Sequence, residues 1–166
     1  MTGIGNRYEI SSLTNDKVKL INSLNHRKYR REHNLFVAEG IRICREAAEN
    51  GWEIRYLLYD NSNMDTHIIK NIINDVLCLG ADVIGVTSEI LSKISHKANS
   101  QNVLCVICQK WNDLPGIIKD KTYVALETVR DPGNLGTILR TMDGVGATDC
   151  ILLDECTDPF SYETVR

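Results

Sequence analysis

This sequence predicts an α/β protein, on three observations. Short apolar runs at 54–59, 82–86 and 103–108 have strand length, and between them lie segments whose apolar residues recur at helical spacing. The two kinds alternate, as they do when helices cover a sheet. The alternation breaks once, at 111–119, where Pro115-Gly116 marks a loop, and then restarts. That divides the chain into a first domain over 1–110, a linker over 111–120 and a second unit over 121–166. With 46 residues, the second unit is below the roughly 50-residue lower end of ordinary domains. The sequence is therefore expected to stop inside its second domain.

In chain order, Asn15 and Asp16 can cap a helix over 15–28 that carries Leu20, Ile21 and Leu24 on one side. A strand follows at 35–38. A helix over 40–50 turns Ile41, Cys44, Ala47 and Ala48 inward and stops at Gly51. Then come a strand at 54–59, a helix over 65–76 with Ile68, Ile69, Ile72 and Ile73, and a strand at 82–86. Thr87 caps a helix through Ile94, and 103–108 is a strand. The second unit reads as strand 122–126, a loop with Asp131-Pro132-Gly133, a helix over 135–143 capped by Asn134, a turn with Gly144 and Gly146, and strand 150–153.

Of the 166 residues, 43% are hydrophobic and 25% charged, which excludes a disordered tail, a fibre or a low-complexity linker. No apolar run approaches the roughly 18 residues of a membrane span. The first ten residues lack the basic-then-apolar pattern of a signal peptide, so a cytoplasmic protein with no membrane partner is expected. The net charge is -3, but residues 17–45 hold eight basic residues against Glu32 and Glu39. That segment carries +6 and the remainder -9. Screening cuts charge interactions off within about 10 Å at 0.1 M salt, so a local cluster can act against the total. Arg27, Lys28, Arg30 and Arg31, interleaved with His26, Tyr29 and His33, fit a surface that contacts RNA phosphates. A solvated helix face explains the same residues, and both readings stand at this point.

Six cysteines suggest disulfides by number, yet a chain of this length and core content needs no staples. Cys105 and Cys108 form a C-x-x-C inside an apolar strand, where positions three apart point to opposite faces. No second pair completes a zinc site, so the thiols read as free and no metal is expected.

The stretch from Ala125 to Thr141 is the most informative. A strand ends in a polar loop and a helix begins, the place where α/β sheets bind ligands. Leu135, Ile138, Leu139 and Met142 share one helix face, and Arg140 lies away from it, free to clamp a phosphate with its two-pronged head. A surface arginine with ordinary capping is the alternative. Gly133 and Gly136 are too close for a dinucleotide fingerprint, and no Gly-Lys-Ser/Thr occurs for a P-loop.

Asp131, Pro132, Asn134, Gly136, Ile138, Arg140 and Thr141, with Leu126 before them, resemble motif 1 of the SpoU (TrmH-like) branch of the SPOUT RNA methyltransferases. That motif reads Asp-Pro-x-Asn-x-Gly-x-Ile-x-Arg-Thr. The tail 158–166 resembles the start of motif 2. Phe36-Val37-Ala38-Glu39-Gly40 and the helix after it resemble the family's N-terminal RNA substrate-binding domain. Three departures stand out. Motif 2 stops at Arg166 before its Ser-x-Gly portion, and motif 3 does not occur. Glu127 stands where Asp is commoner. Asn99-Ser100-Gln101-Asn102 replaces the usual Pro-Gln-Gly.

The resemblance implies a three-layer α/β/α N-terminal domain similar to the kink-turn-binding ribosomal proteins. It implies the first part of a Rossmann-like SPOUT domain after it, without the knot-forming part. It further implies an S-adenosylmethionine-dependent RNA 2′-O-ribose methyltransferase, homodimeric when intact, acting on rRNA in preference to tRNA. Arg140 and Asn134 are the implied catalytic residues, and the cofactor-binding residues are expected beyond Arg166. This chain by itself is then expected to be inactive, and a non-catalytic RNA-binding module is the competing reading.

Overall fold

A computed structural model describes residues 4–63, 67–95, 102–113 and 122–166. It divides into two compact units, residues 1–109 and 110–166. The first holds β1 (Arg7–Ile10), α1 (Asp16–Ser23), α2 (Arg27–His33), β2 (Leu35–Glu39), α3 (Ile41–Glu49), β3 (Ile54–Asp60), α4 (His67–Cys78), β4 (Asp82–Val86), α5 (Ser88–Ile94) and β5 (Val103–Cys108). The second holds β6 (Tyr123–Glu127), α6 (Pro132–Gly144), β7 (Asp149–Leu153) and α7 (Tyr162–Val165).

The first unit is built on a five-stranded sheet in the order β1-β4-β3-β5-β2. Only β5 runs against its neighbours; β1 and β3 are parallel to β4. Strands β2, β4 and β5 are apolar at nearly every position because both faces are covered. Leu58, Ile84, Val86, Leu104 and Val106 pack with Val18 and Ile21 of α1, with Leu24 just after it, and with Ile90, Leu91 and Ile94 of α5. The intervening positions Leu57, Val83 and Cys105 are fully buried and point the other way. On that side Cys105 lies against Cys44 of α3, while Cys108 packs on the α1/α5 side. The two thiols of the C-x-x-C therefore diverge, and all six cysteines are free.

The structure corrects several expectations. The helix over 15–28 is two helices. Asn15 caps α1 through Lys17 N–H at 2.9 Å, but the chain leaves the helix after Ser23 and restarts at Arg27. Arg30 reaches back to the Leu24 and Asn25 carbonyls and stabilises the break. β1 is an added strand: its four residues, two of them charged, carry no apolar run, and only pairing with β4 makes them a strand. Gly51, at φ 64°, ends α3 as expected, and Thr87 caps α5. The linker expected over 111–120 falls outside the described residues from 114 onward, as do 65–66 at the expected start of α4 and 99–101 of the Asn99-to-Asn102 stretch.

In the second unit β6 and β7 pair in parallel, Tyr123 with Asp149 through Glu127 with Leu153. The helix between them begins at Pro132, not Leu135. Its N-cap is Asp131, whose carboxylate accepts the Asn134 N–H at 2.7 Å, so Asn134 lies inside the first turn. Pro at the first helical position, directly after Asp, is the sequence signal for this start.

Candidate functional site

Two surfaces carry the candidate residues, one on each unit. On the second unit, both strands leave the sheet through a residue in the left-handed region: Thr128 after β6 and Asp154 after β7, each at φ 55°. Non-glycine residues there are uncommon, and such outliers concentrate at functional loops. The loops after them are tied together. Thr157 N–H donates to Val129 O at 2.8 Å, and Val129 N–H points at Cys156 Sγ at 3.4 Å. The Cys156 thiol in turn donates to Leu126 O at 3.3 Å. Arg130 pairs with Glu155 at 2.9 Å, an exposed contact of little energetic weight. Sequence reading missed Cys156; a free cysteine between two polar residues gives no pattern to find it by.

From this loop pair α6 runs with Leu135 and Met142 buried. Arg140 is exposed, as the helical wheel requires, and among the described residues it makes no ion pair. Helical side chains lean toward the N-terminus, so Arg140 overhangs the turn of Gly136. Asn134 is exposed one turn into the helix, about 9 Å along the axis from Arg140 by helical rise. No hydrogen bond joins the two among the described residues, so the structure puts them on one helix without bringing them into contact. The 158–161 segment folds into a compact turn. Asp158 accepts the Phe160 N–H at 3.0 Å, Ser161 caps α7, and Thr164 Oγ1 lies 2.9 Å from Ser161 Oγ. Phe160 stacks edge-on against Trp111, centroids 5.1 Å apart.

On the first unit, the four expected phosphate-contacting residues separate. Arg27, Lys28 and Arg31 are exposed, and among the described residues they form no salt bridge. Arg30 is buried at 6% exposure, and its guanidinium serves the Leu24 and Asn25 carbonyls. The expectation that Arg30 meets a phosphate is thereby corrected. A helix of seven residues turns some positions inward, and Arg30 falls on the side facing the α1–α2 break.

Elsewhere on this unit, a recess of about 620 Å³ is lined by Lys17, Glu53, Arg55, Tyr56, Gly80 and Asp82. Lys17 Nζ lies 4.5 Å from the Tyr8 ring centroid and 5.2 Å from that of Tyr56. It also bonds the Tyr8 hydroxyl and pairs with Asp82 at 3.5 Å. Burial pushes the Tyr8 phenol up, against the pull of Lys17. Among the described residues no cluster of three or more His, Cys, Asp or Glu is placed to hold a metal ion.

A mixed sheet with helices on both faces, followed by a strand–loop–helix with a bare arginine, defines a two-part protein whose first part presents charge and whose second presents a loop-end site. Residues 15–105 match the MRM3-like substrate binding domain, and residues 121–166 match the SpoU rRNA Methylase family. The chain belongs to the SpoU/TrmH family of RNA methyltransferases, with an N-terminal MRM3-like substrate-binding domain. It is similar to an rRNA methyltransferase from Sinorhizobium meliloti, with 40% identity, a TM-score of 0.86 and coverage of 97% of this chain and 60% of that one. It is similar also to an AdoMet-bound rRNA methyltransferase from Sinorhizobium meliloti, with 39% identity, a TM-score of 0.85 and coverage of 97% of this chain and 60% of that one. A 23S rRNA guanosine 2′-O-methyltransferase of Bacillus subtilis is 27% identical over 158 residues, 95% of this chain and 59% of that protein. The mitochondrial rRNA methyltransferase 3 of Xenopus tropicalis is 28% identical over 171 residues, and this chain spans 39% of it. The chain thus spans about 60% or less of these relatives.

Among the described residues, the paired loops after β6 and β7 leave few backbone groups for a bound S-adenosylmethionine. Here Thr128 N–H, Val129 N–H, Val129 O and Leu126 O are already engaged between the two loops or with the sheet.

Proposed function

We propose that this chain supplies the substrate-recognition domain and the first part of the methyl-transfer domain of an S-adenosylmethionine-dependent RNA 2′-O-ribose methyltransferase acting on rRNA. The observation that carries it is the motif 1 register on a strand–loop–helix, with Arg140 left bare on α6. A ribose 2′-hydroxyl is a weak nucleophile and needs alignment more than anything else. Arg140 holds the RNA backbone phosphate beside that hydroxyl and stabilises the charge that develops on its oxygen. Proton removal by arginine itself is disfavoured by its high pKa. Asn134, exposed in the first turn of α6, orders the substrate side of the loop. Arg27, Lys28 and Arg31 steer the RNA. The methyl donor binds residues that this chain does not contain, consistent with its span of about 60% of its relatives. The likeness of the first unit to kink-turn-binding ribosomal proteins, the domain division at 110 and 121, a homodimer and a cytoplasmic location belong to the same proposal.

A second reading, a non-catalytic RNA-binding module, is favoured by the closed loop pair. Ribose-methyl mapping separates the two. Disrupting the encoding gene should remove resistance to alkaline cleavage at one rRNA nucleotide, and the whole reading frame should restore it. If every methylated ribose in rRNA and tRNA persists, the binding module remains.

A further inference from the structure

The helix α2 is unusual in how much holds it in place and how little covers it. Seven residues cannot sustain a helix alone. Its entry is pinned by buried Arg30, 2.8 Å from Leu24 O and 3.0 Å from Asn25 O. Its exit is pinned by buried Gln109, whose amide donates to Arg30 O at 3.1 Å and Leu35 O at 3.3 Å. Asn34 ends it in the left-handed conformation at φ 55°. Two buried polar side chains therefore fix the helix to the edge of the sheet.

What the fixed helix presents is an aromatic strip edged with cations. Tyr29 and His33, one turn apart, have nearly parallel rings, 15° between planes and 6.5 Å between centroids. His26 meets Tyr29 edge-on at 6.3 Å. His26 and His33 are exposed and Tyr29 is half-buried. Lys28 Nζ lies 5.6 Å from the Tyr29 centroid, and Arg27 and Arg31 flank the strip. Glu32 is the one acid of the helix.

We propose that α2 is a platform on which unpaired bases of a single-stranded RNA segment stack, with Tyr29 and His33 taking the base faces and Arg27, Lys28 and Arg31 the phosphates. This rests on the reading of the first unit as RNA-binding and names the form of RNA it takes. Every base has a π-face, so such a strip binds without demanding a sequence. A duplex hides those faces and offers only grooves and phosphates, for which the rings would be idle. An acidic peptide would use the cations and leave the aromatic strip unexplained.

The test is a titration of the 166-residue chain with a single-stranded oligoribonucleotide carrying 2-aminopurine, and with a duplex of the same length. The single strand should bind more tightly, and the fluorescence should fall as the base stacks. Tyr29→Leu with His33→Ala should weaken single-strand binding about tenfold and leave the salt slope unchanged, while Tyr29→Phe binds as the parent does. Arg27→Ala with Lys28→Ala and Arg31→Ala should lower the salt slope by about two units. Unchanged melting temperatures separate these losses from unfolding. Parent-like affinity and fluorescence in the Tyr29/His33 variant, or duplex bound as tightly as single strand, overturns the platform and leaves the charge reading. Binding to neither RNA overturns both. An absent ribose-methylation phenotype with the platform intact removes only the methyltransferase reading.

Discussion

A Cβ placed on Gly136 would lie 2.8 Å from the backbone carbonyl oxygen of Thr164, so α6 and α7 meet where no side chain fits. The obstacle is backbone, which cannot swing away. Gly136→Ala should therefore destabilise the second unit by about 1–3 kcal/mol, the usual cost of overpacking, offset by up to about 1 kcal/mol of helix propensity. Gly144→Ala is the control, because a Cβ there meets nothing within 4 Å. Denaturant midpoints of the two variants should move in opposite directions or differ clearly; equal midpoints would remove the close approach as the reason for glycine.

Arg30 and Arg31 are adjacent arginines with opposite roles. Arg30→Ala strips hydrogen bonds from two carbonyls at the α1–α2 break and should cost about 2–3 kcal/mol. Arg31→Ala, on the exposed side, should stay within about 0.5 kcal/mol and act on RNA affinity instead. Chemical denaturation of both variants checks this, and similar losses would contradict the division.

Asp82 sets a direction for acid sensitivity. Burial works to raise its carboxyl, but the Asn6 backbone and side chain, the Tyr8 hydroxyl and Lys17 outweigh it and hold it below the usual carboxylate range. A folded-state pKa below the unfolded one means stabilisation that is present above the unfolded value and lost as pH falls through the folded value. The stability gap between the parent and Asp82→Asn should therefore shrink as pH falls from about 7 to about 3. A gap that is constant over that range, measured by thermal melts, would show that Asp82 ionisation does not matter.

The cysteines should differ widely in reactivity. Cys78 is exposed at the end of α4, whereas Cys44, Cys105 and Cys156 are buried. Burial pushes the Cys105 thiol well up, and neighbouring Cys44 adds to it; burial and a hydrogen bond to Glu53 push Cys108 up to about 11. Because the thiolate is the reactive form, maleimide at neutral pH should label Cys78 first, half-exposed Cys108 and Cys150 more slowly, and buried Cys44, Cys105 and Cys156 only on unfolding. Mass-mapped labelling of the native chain reads this directly; early modification of Cys105 or Cys156 would contradict the packing described.

Arg140→Ala tests the methyl-transfer proposal in the whole protein. Arg140 is exposed, so its loss opens no cavity and the melting temperature should barely change. A transition-state contact of this kind is worth on the order of 3 kcal/mol, or about a hundredfold in single-turnover rate. RNA affinity should fall less, since the basic cluster lies on the first unit. A parent-like rate would leave Arg140 an ordinary surface residue, and a melt many degrees lower would make it structural.

Periodicity along the chain was enough to place most elements, because an apolar run of strand length and an apolar stripe at 3.6 spacing report burial directly. The motif around Asp131 to Thr141 likewise located the candidate loop, since its chemistry sits on consecutive residues. Tertiary structure alone decided what depends on partners distant in sequence. β1 becomes a strand only because β4 lies beside it, and Arg30 turns inward only because the α1–α2 break leaves carbonyls to satisfy. Cys156 becomes a tie between loops only because β6 and β7 end side by side, and Gly136 matters only where Thr164 approaches it. A sequence pattern records which face a residue turns to the core; which atoms meet across the fold is set by the packing of elements tens of residues apart.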